Sequence, residues 1–145
     1  MPSGKQGAGR AAWWGLALVL VLAGGLWAPL AAAQPAARVA IVFATGGLGD
    51  QSFNDSAYEG VKWAQDELGI AFDYVEPTAI AEYEALLTRF AQTRRYDLII
   101  SIGFDQADAL SVVADRFPNQ KFALVDTVLE KPNVAAYVYK EAERG

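Results

Sequence analysis

Asp50, Phe53 and Asn54 stand together just after the glycine-rich run Thr45-Gly-Gly-Leu-Gly49. Asp105 and Asp126 each follow an apolar run further along the chain, and Gly103 ends the first of those runs. Carboxylates accept hydrogen bonds from hydroxyl and amine donors, and an aromatic ring offers a face to another ring. The chemistry suggested is recognition of a neutral, polyhydroxylated ligand with a flat ring. Stacking on Phe53 would contribute about 1–3 kcal/mol, by the precedent of bases on aromatic side chains. Basic residues near these positions are few, with Lys131 and Lys140 the nearest candidates. Phosphate sites at helix N-termini usually add a Lys or Arg, so a nucleotide fits less well.

Other chemistries find weaker support. The fingerprint G-x-G-x-x-G is half met by Gly47 and Gly49, but Ser52 takes the third glycine position. The three aspartates offer oxygen ligands of the kind Mg²⁺ or Ca²⁺ takes, but they are far apart in sequence. A phosphoacceptor receiver needs acids directly after its first strand and an aspartate closing its third. Ala44-Thr45-Gly46 and Ser101-Ile102-Gly103 supply neither. The chain has no His and no Cys, which removes the commonest general base, the commonest metal ligand and all thiolate chemistry. No cofactor and no metal are expected. The same residues have plainer uses: the glycines suit a tight turn, Asp105 a helix cap and Phe53 a core staple.

The positions above must be carried by strand ends. Val39 to Ala44 is an unbroken apolar run of the kind buried on both faces of a sheet. A helix is expected from Phe53 to Leu68, capped by Ser52 and stopped by Gly69, with Ala57, Gly60, Val61, Ala64 and Leu68 toward the sheet. Phe72 to Val75 reads as a second strand. A helix over Ile80 to Thr93 follows, with Arg94 and Arg95 at its C-terminal end. Then come a strand over Asp97 to Ile102, a helix over Gln106 to Phe117, and strands over Lys121 to Val125 and Val134 to Tyr139. Strands alternating with helices of this length predict an α/β fold with an open parallel sheet and helices on both faces. Ligands of such sheets sit at the C-terminal edge, where Thr45–Asn54, Gly103–Asp105 and Asp126 would meet.

Residues 1–33 read as a secretory leader: Lys5 and Arg10, then an uncharged stretch, then Ala31-Ala32-Ala33 as a cleavage site. An uncleaved membrane anchor is the alternative. The absence of cysteine excludes lipid attachment after the leader. Removing residues 1–33 takes away two cations and no acid, moving the net charge from −5 to −7. So acidic a domain is a poor partner for nucleic acid or an anionic membrane. The boundaries are then 1–33 leader, 34–38 linker and 39–145 folded region.

Thr45-Gly-Gly-Leu-Gly-Asp-Gln-Ser-Phe-Asn54 with Tyr58-Glu-Gly60, Asp97-Leu-Ile-Ile-Ser-Ile-Gly-Phe104, and Phe117-Pro-Asn-Gln-Lys-Phe-Ala-Leu-Val-Asp126 resemble the basic membrane protein family of ABC-transporter substrate-binding proteins, of the purine-nucleoside receptor type. The likeness covers residues 38–145. It implies the N-terminal lobe of a type I periplasmic-binding-protein clamp, with strands in flavodoxin-like order and the lobe incomplete. It also implies a nucleoside in the cleft, a membrane ABC permease as partner, a monomer, no catalysis, and a periplasmic or envelope location. By the same likeness Phe53 stacks on the base, Asp50 and Asn54 face its edge, and Gly103 and Asp126 line the cleft, with Asp126 accepting from ribose. Thr45 stands where the family has an aspartate. An extracytoplasmic sensor or adhesion module on the same lobe is the alternative, followed by a Rossmann-type enzyme. The family continues past the end of this sequence into a second lobe, so marginal stability and weak affinity are expected of this chain alone.

Overall fold

The computed structural model describes residues 34–49 and 51–139. Residues 1–33, Asp50 and residues 140–145, with Lys140, lie outside the described residues. β1 is Arg38–Val42 and α1 is Phe53–Leu68; β2 is Ala71–Val75. A 3₁₀ turn at Ile80–Glu82 leads into α2, Tyr83–Thr93, and then β3, Leu98–Ile102. A second 3₁₀ turn, Phe104–Gln106, leads into α3, Ala107–Arg116; β4 is Phe122–Val125 and β5 is Val134–Tyr137.

The five strands form one sheet in the order β2-β1-β3-β4-β5, every pair parallel. This is the flavodoxin-like order, and it puts every strand's C-terminal end on one edge. Period-two alternation divides β1 between two cores. Ala40 and Val42 pack with Tyr83, Leu87, Phe90, Leu110 and Val113 of α2 and α3. Val39 and Ile41, with Phe43 beyond the strand, pack with Val61 of α1. Two described helices therefore cover one face and one covers the other. On the single-helix face a groove of about 440 Å³ stays open beside α1, lined in part by Leu98, Ile100, Ile102, Val125, Phe53 and Tyr139.

The expected elements are all present, with shifted ends. β1 stops at Val42 rather than Ala44, although the Phe43 N–H still donates to the Val75 carbonyl at 3.1 Å. α1 has the predicted span and ends on Gly69 in the left-handed region. Its inward stripe differs from the expected one. Val61 is buried and Ala57 packs against the same cluster, but Leu68 is exposed and Gly60 borders the open groove. The 16-residue helix is roughly 24 Å long, while a five-residue strand covers roughly 17 Å; the last turn overhangs the sheet. Ser52 sits at the N-cap without a side-chain cap bond to the helix. Asp105 is not the cap of α3 either, because the intervening 3₁₀ turn carries it away from that position.

Candidate functional site

The C-terminal edge of the sheet gathers the loop after β1, the ends of β2 and β3, and Asp126 after β4. Five backbone amides of the first loop are engaged by neighbouring side chains. Asn54 is only 2% exposed. Its Oδ1 accepts from the Ala44 N–H at 3.0 Å. Its Nδ2 donates to the carbonyls of Ala44 at 3.1 Å and Gly47 at 3.0 Å. Glu76, beyond β2, accepts from the Leu48 N–H at 2.8 Å. Asp55, in the first turn of α1, accepts from the N–H groups of Gly49 at 2.7 Å and Gln51 at 2.8 Å. The Thr45 N–H donates to the Tyr83 hydroxyl at 2.9 Å.

These bonds determine what the loop can hold. A phosphate cradle needs free backbone N–H groups and a positive field. Here the amides of Ala44, Thr45, Leu48, Gly49 and Gln51 point at the protein's own oxygens, and two of those acceptor groups are acidic side chains. The chain has placed its own anions where a phosphate would sit. Gly47 suits this: its φ is +69°, strained for a residue with a side chain, and a Cβ there would lie 2.6 Å from Glu76 Oε2, so that carboxylate would have to shift.

The next two strand ends are arranged differently. Asp126 has φ +82°, a region that residues with a side chain rarely occupy and that costs of order 1–3 kcal/mol. Its N–H donates to the Tyr137 carbonyl at 2.7 Å, which holds that backbone in place. Its half-buried carboxylate accepts no hydrogen bond from the described residues. Phe104 follows β3 and is 69% exposed. Beside it Asp105 accepts from the Tyr83 hydroxyl through Oδ2 at 2.8 Å. Gly103 is buried with φ +111°, and a Cβ there would meet Asp105 Oδ1 at 2.9 Å and Ala44 Cβ at 3.3 Å. Burial, in the first place, raises the Tyr83 hydroxyl above its ordinary pKa of 10.0, which keeps it a proton donor.

The structure thus sorts the residues singled out from sequence. Thr45, Gly103 and Asp126 share the edge. Asn54 is there too, but both ends of its amide serve the loop, so it shapes the site without reaching into it. Phe53 is half-buried beside the open groove, its ring edge-on to Tyr139 at a centroid distance of 6.2 Å; it packs with the α1-side core. Asp50 lies outside the described residues. Three contributors were not anticipated. Phe104 is the exposed aromatic of the edge. Tyr83 lies within the predicted helix with no role assigned to it. Gln106 is fully buried, its Nε2 donating to the carbonyls of Val42 at 2.9 Å, Phe43 at 3.1 Å and Ile102 at 2.8 Å, which ties the ends of β1 and β3. An aromatic directly after a strand-ending glycine was a legible signal for Phe104; nothing local marked Gln106.

The arrangement can accept hydrogen bonds from donors and stack against a ring. Among the described residues no group of three or more His, Cys, Asp or Glu side chains is placed to hold a metal ion. No described helix is long and apolar enough to cross a membrane.

Comparison with known proteins agrees with this architecture. A lipoprotein of uncharacterized function from Pyrococcus abyssi is 42% identical over 108 residues, which is 73% of this chain and 27% of that protein. A protein of Lactococcus lactis subsp. cremoris named ABC transporter nucleoside-binding protein BmpA is 31% identical over 111 residues, 73% of this chain and 31% of that protein. The crystal structure of an ABC transporter system solute-binding protein from Aeropyrum pernix K1 superposes with a TM-score of 0.70 at 38% identity, covering 74% of this chain and 30% of that one. The chain therefore spans less than a third of the length of these relatives. The family model for Bmp, the PnrA-like ABC transporter substrate-binding proteins, matches residues 37–145. The chain belongs to the Bmp family of ABC transporter substrate-binding proteins.

Proposed function

We propose that this chain supplies one jaw of an extracytoplasmic receptor for purine nucleosides, which hands its ligand to a membrane ABC permease. The observation that supports this most is Asp126. An aspartate held at φ +82° at a strand end, its carboxylate accepting from no described residue, is poised to accept from a ligand hydroxyl such as those of ribose. Phe104 adds an exposed ring after the neighbouring strand β3, and Phe53 a half-buried one. The self-satisfied first loop argues against a phosphorylated ligand, which favours a nucleoside over a nucleotide. The name of the Lactococcus lactis relative points to the same ligand class. Binding is followed by closure of two lobes on the ligand, a hinge transition, with no bond made or broken.

Location follows the same reading. The leader sends the chain across the membrane. The Pyrococcus relative is named a lipoprotein, but this sequence contains no cysteine, so the residues given offer no thiol for a lipid anchor.

The test is calorimetric titration with adenosine, guanosine and inosine beside ribose, glucose and free amino acids. It is best made on a chimera in which residues 37–139 replace the matching segment of the Lactococcus lactis protein. Nucleosides should bind and the other ligands should not. Binding of sugars or amino acids without nucleosides would overturn the ligand assignment.

A further inference from the structure

Tyr83 opens α2 and its ring is fully buried in the α2–α3 core. Its hydroxyl nevertheless ends between two loops that follow different strands. It accepts from the Thr45 N–H after β1 at 2.9 Å and donates to Asp105 Oδ2 after β3 at 2.8 Å. A buried tyrosine hydroxyl needs one partner; this one has two, 38 and 22 residues away in sequence. The other side chains that grip the first loop, Asn54, Asp55 and Glu76, make no described hydrogen bond to the β3 loop. Asp105 in turn has one oxygen committed to Tyr83, while Oδ1 lies over Gly103, in space that a Cβ would occupy. Oδ1 accepts from no described residue.

We infer that Tyr83 is a positioning residue of the ligand edge: its hydroxyl locks Thr45 to Asp105 and turns Asp105 Oδ1 outward as a further acceptor for a ligand hydroxyl or amine. The lock rests on geometry alone; the identity of the ligand rests on the nucleoside reading above. Because the hydroxyl spans both loops, removing it takes away the Thr45–Asp105 link without opening the core, whose packing uses the ring, while Gln106 still ties the ends of β1 and β3.

Hydrogen exchange and inosine titration of Tyr83→Phe test this, with Asp105→Ala approaching the same lock from its exposed side. In Tyr83→Phe the Thr45 amide should exchange at least about tenfold faster, while the Ala44 amide, held by Asn54, keeps its protection. Inosine affinity should fall about tenfold in Tyr83→Phe and at least as far in Asp105→Ala, which also removes the acceptor, and the double variant should bind no worse than Asp105→Ala. Unchanged Thr45 exchange in Tyr83→Phe overturns the lock. Lost protection with unchanged inosine affinity, or additive losses in the double variant, overturns the positioning role. A parent protein that binds no nucleoside, beside a Tyr83→Phe that loses Thr45 protection, contradicts the ligand reading and supports the lock.

Discussion

The first loop, residues 44–51, and the strand ends at 103–105 and 126 share one edge of one sheet, but their polar groups are spent in opposite ways. In the first loop, five backbone amides are taken by Asn54, Tyr83, Glu76 and Asp55. At the other strand ends the carboxylate of Asp126 and one oxygen of Asp105 accept from nothing described, and the ring of Phe104 stands out from the surface. Glycine-rich sequence drew attention to the first region, and the acceptors left without described partners stand in the second. A loop that satisfies its own amides is scaffold; acceptor oxygens without partners, above all that of Asp126 on its positive-φ backbone, are the candidates for ligand contact.

The comparison can be broken most severely at Asn54. Asn54→Ala removes three hydrogen bonds, one buried and two part-buried, and should cost about 2–4 kcal/mol of stability in denaturant titration. A loss under about 1 kcal/mol would mean that the loop is not held as described. Gly47→Ala should cost about 1–2 kcal/mol, from its positive φ and the displacement of Glu76. Added Glu76→Ala should recover part of that loss, and no recovery would show that the clash is elsewhere.

Asp126→Gly sharpens the contrast because it should separate stability from function. Glycine tolerates φ +82°, so the variant should be as stable as the parent or up to about 1 kcal/mol more so. Nucleoside affinity should fall at least about tenfold with the acceptor gone. Loss of stability without loss of binding would mark Asp126 as structural.

The smallest effect is one of pH. Burial raises the pKa of Tyr83 above its ordinary 10.0, and burial likewise raises Tyr96. The folded state then holds these protons more tightly than the unfolded state. The stability they contribute is complete below pH 10 and is lost as pH rises through the folded-state values. Denaturant titrations above pH 10 should show a falling stability whose slope is smaller in Tyr83→Phe. An unchanged slope would mean that Tyr83 titrates as it does in the unfolded chain.

The sheet and its helices were legible because periodicity, strand-ending glycines and the Gly69 stop are local signals. The positions at the ligand edge were legible as positions, since a parallel sheet gathers its strand ends. Roles were harder to read. Asn54 looked like a ligand contact because its burial depends on Ala44 and Gly47 folding back over it, a tertiary fact. Phe53 read as a stacking platform or a core staple, and only the packing shows it against the α1-side core and the groove. Tyr83 and Gln106 have the spacing of ordinary core positions, and only their long-range partners distinguish them. Asp105 looked like a cap because the 3₁₀ turn ahead of α3 has no clear sequence mark.

The central claim is that this edge offers acceptors to a nucleoside while its glycine-rich loop is closed to phosphate. Amide shift mapping of the ¹⁵N-labelled chain with millimolar inosine, and separately with inorganic phosphate, tests both halves at once. Inosine should move the amides of Thr45, Gly103, Phe104 and Asp126 and leave Leu48 and Gly49 unmoved, and phosphate should move neither set. Phosphate shifts concentrated at Leu48, Gly49 and Gln51, with Asp126 silent to inosine, would contradict the account.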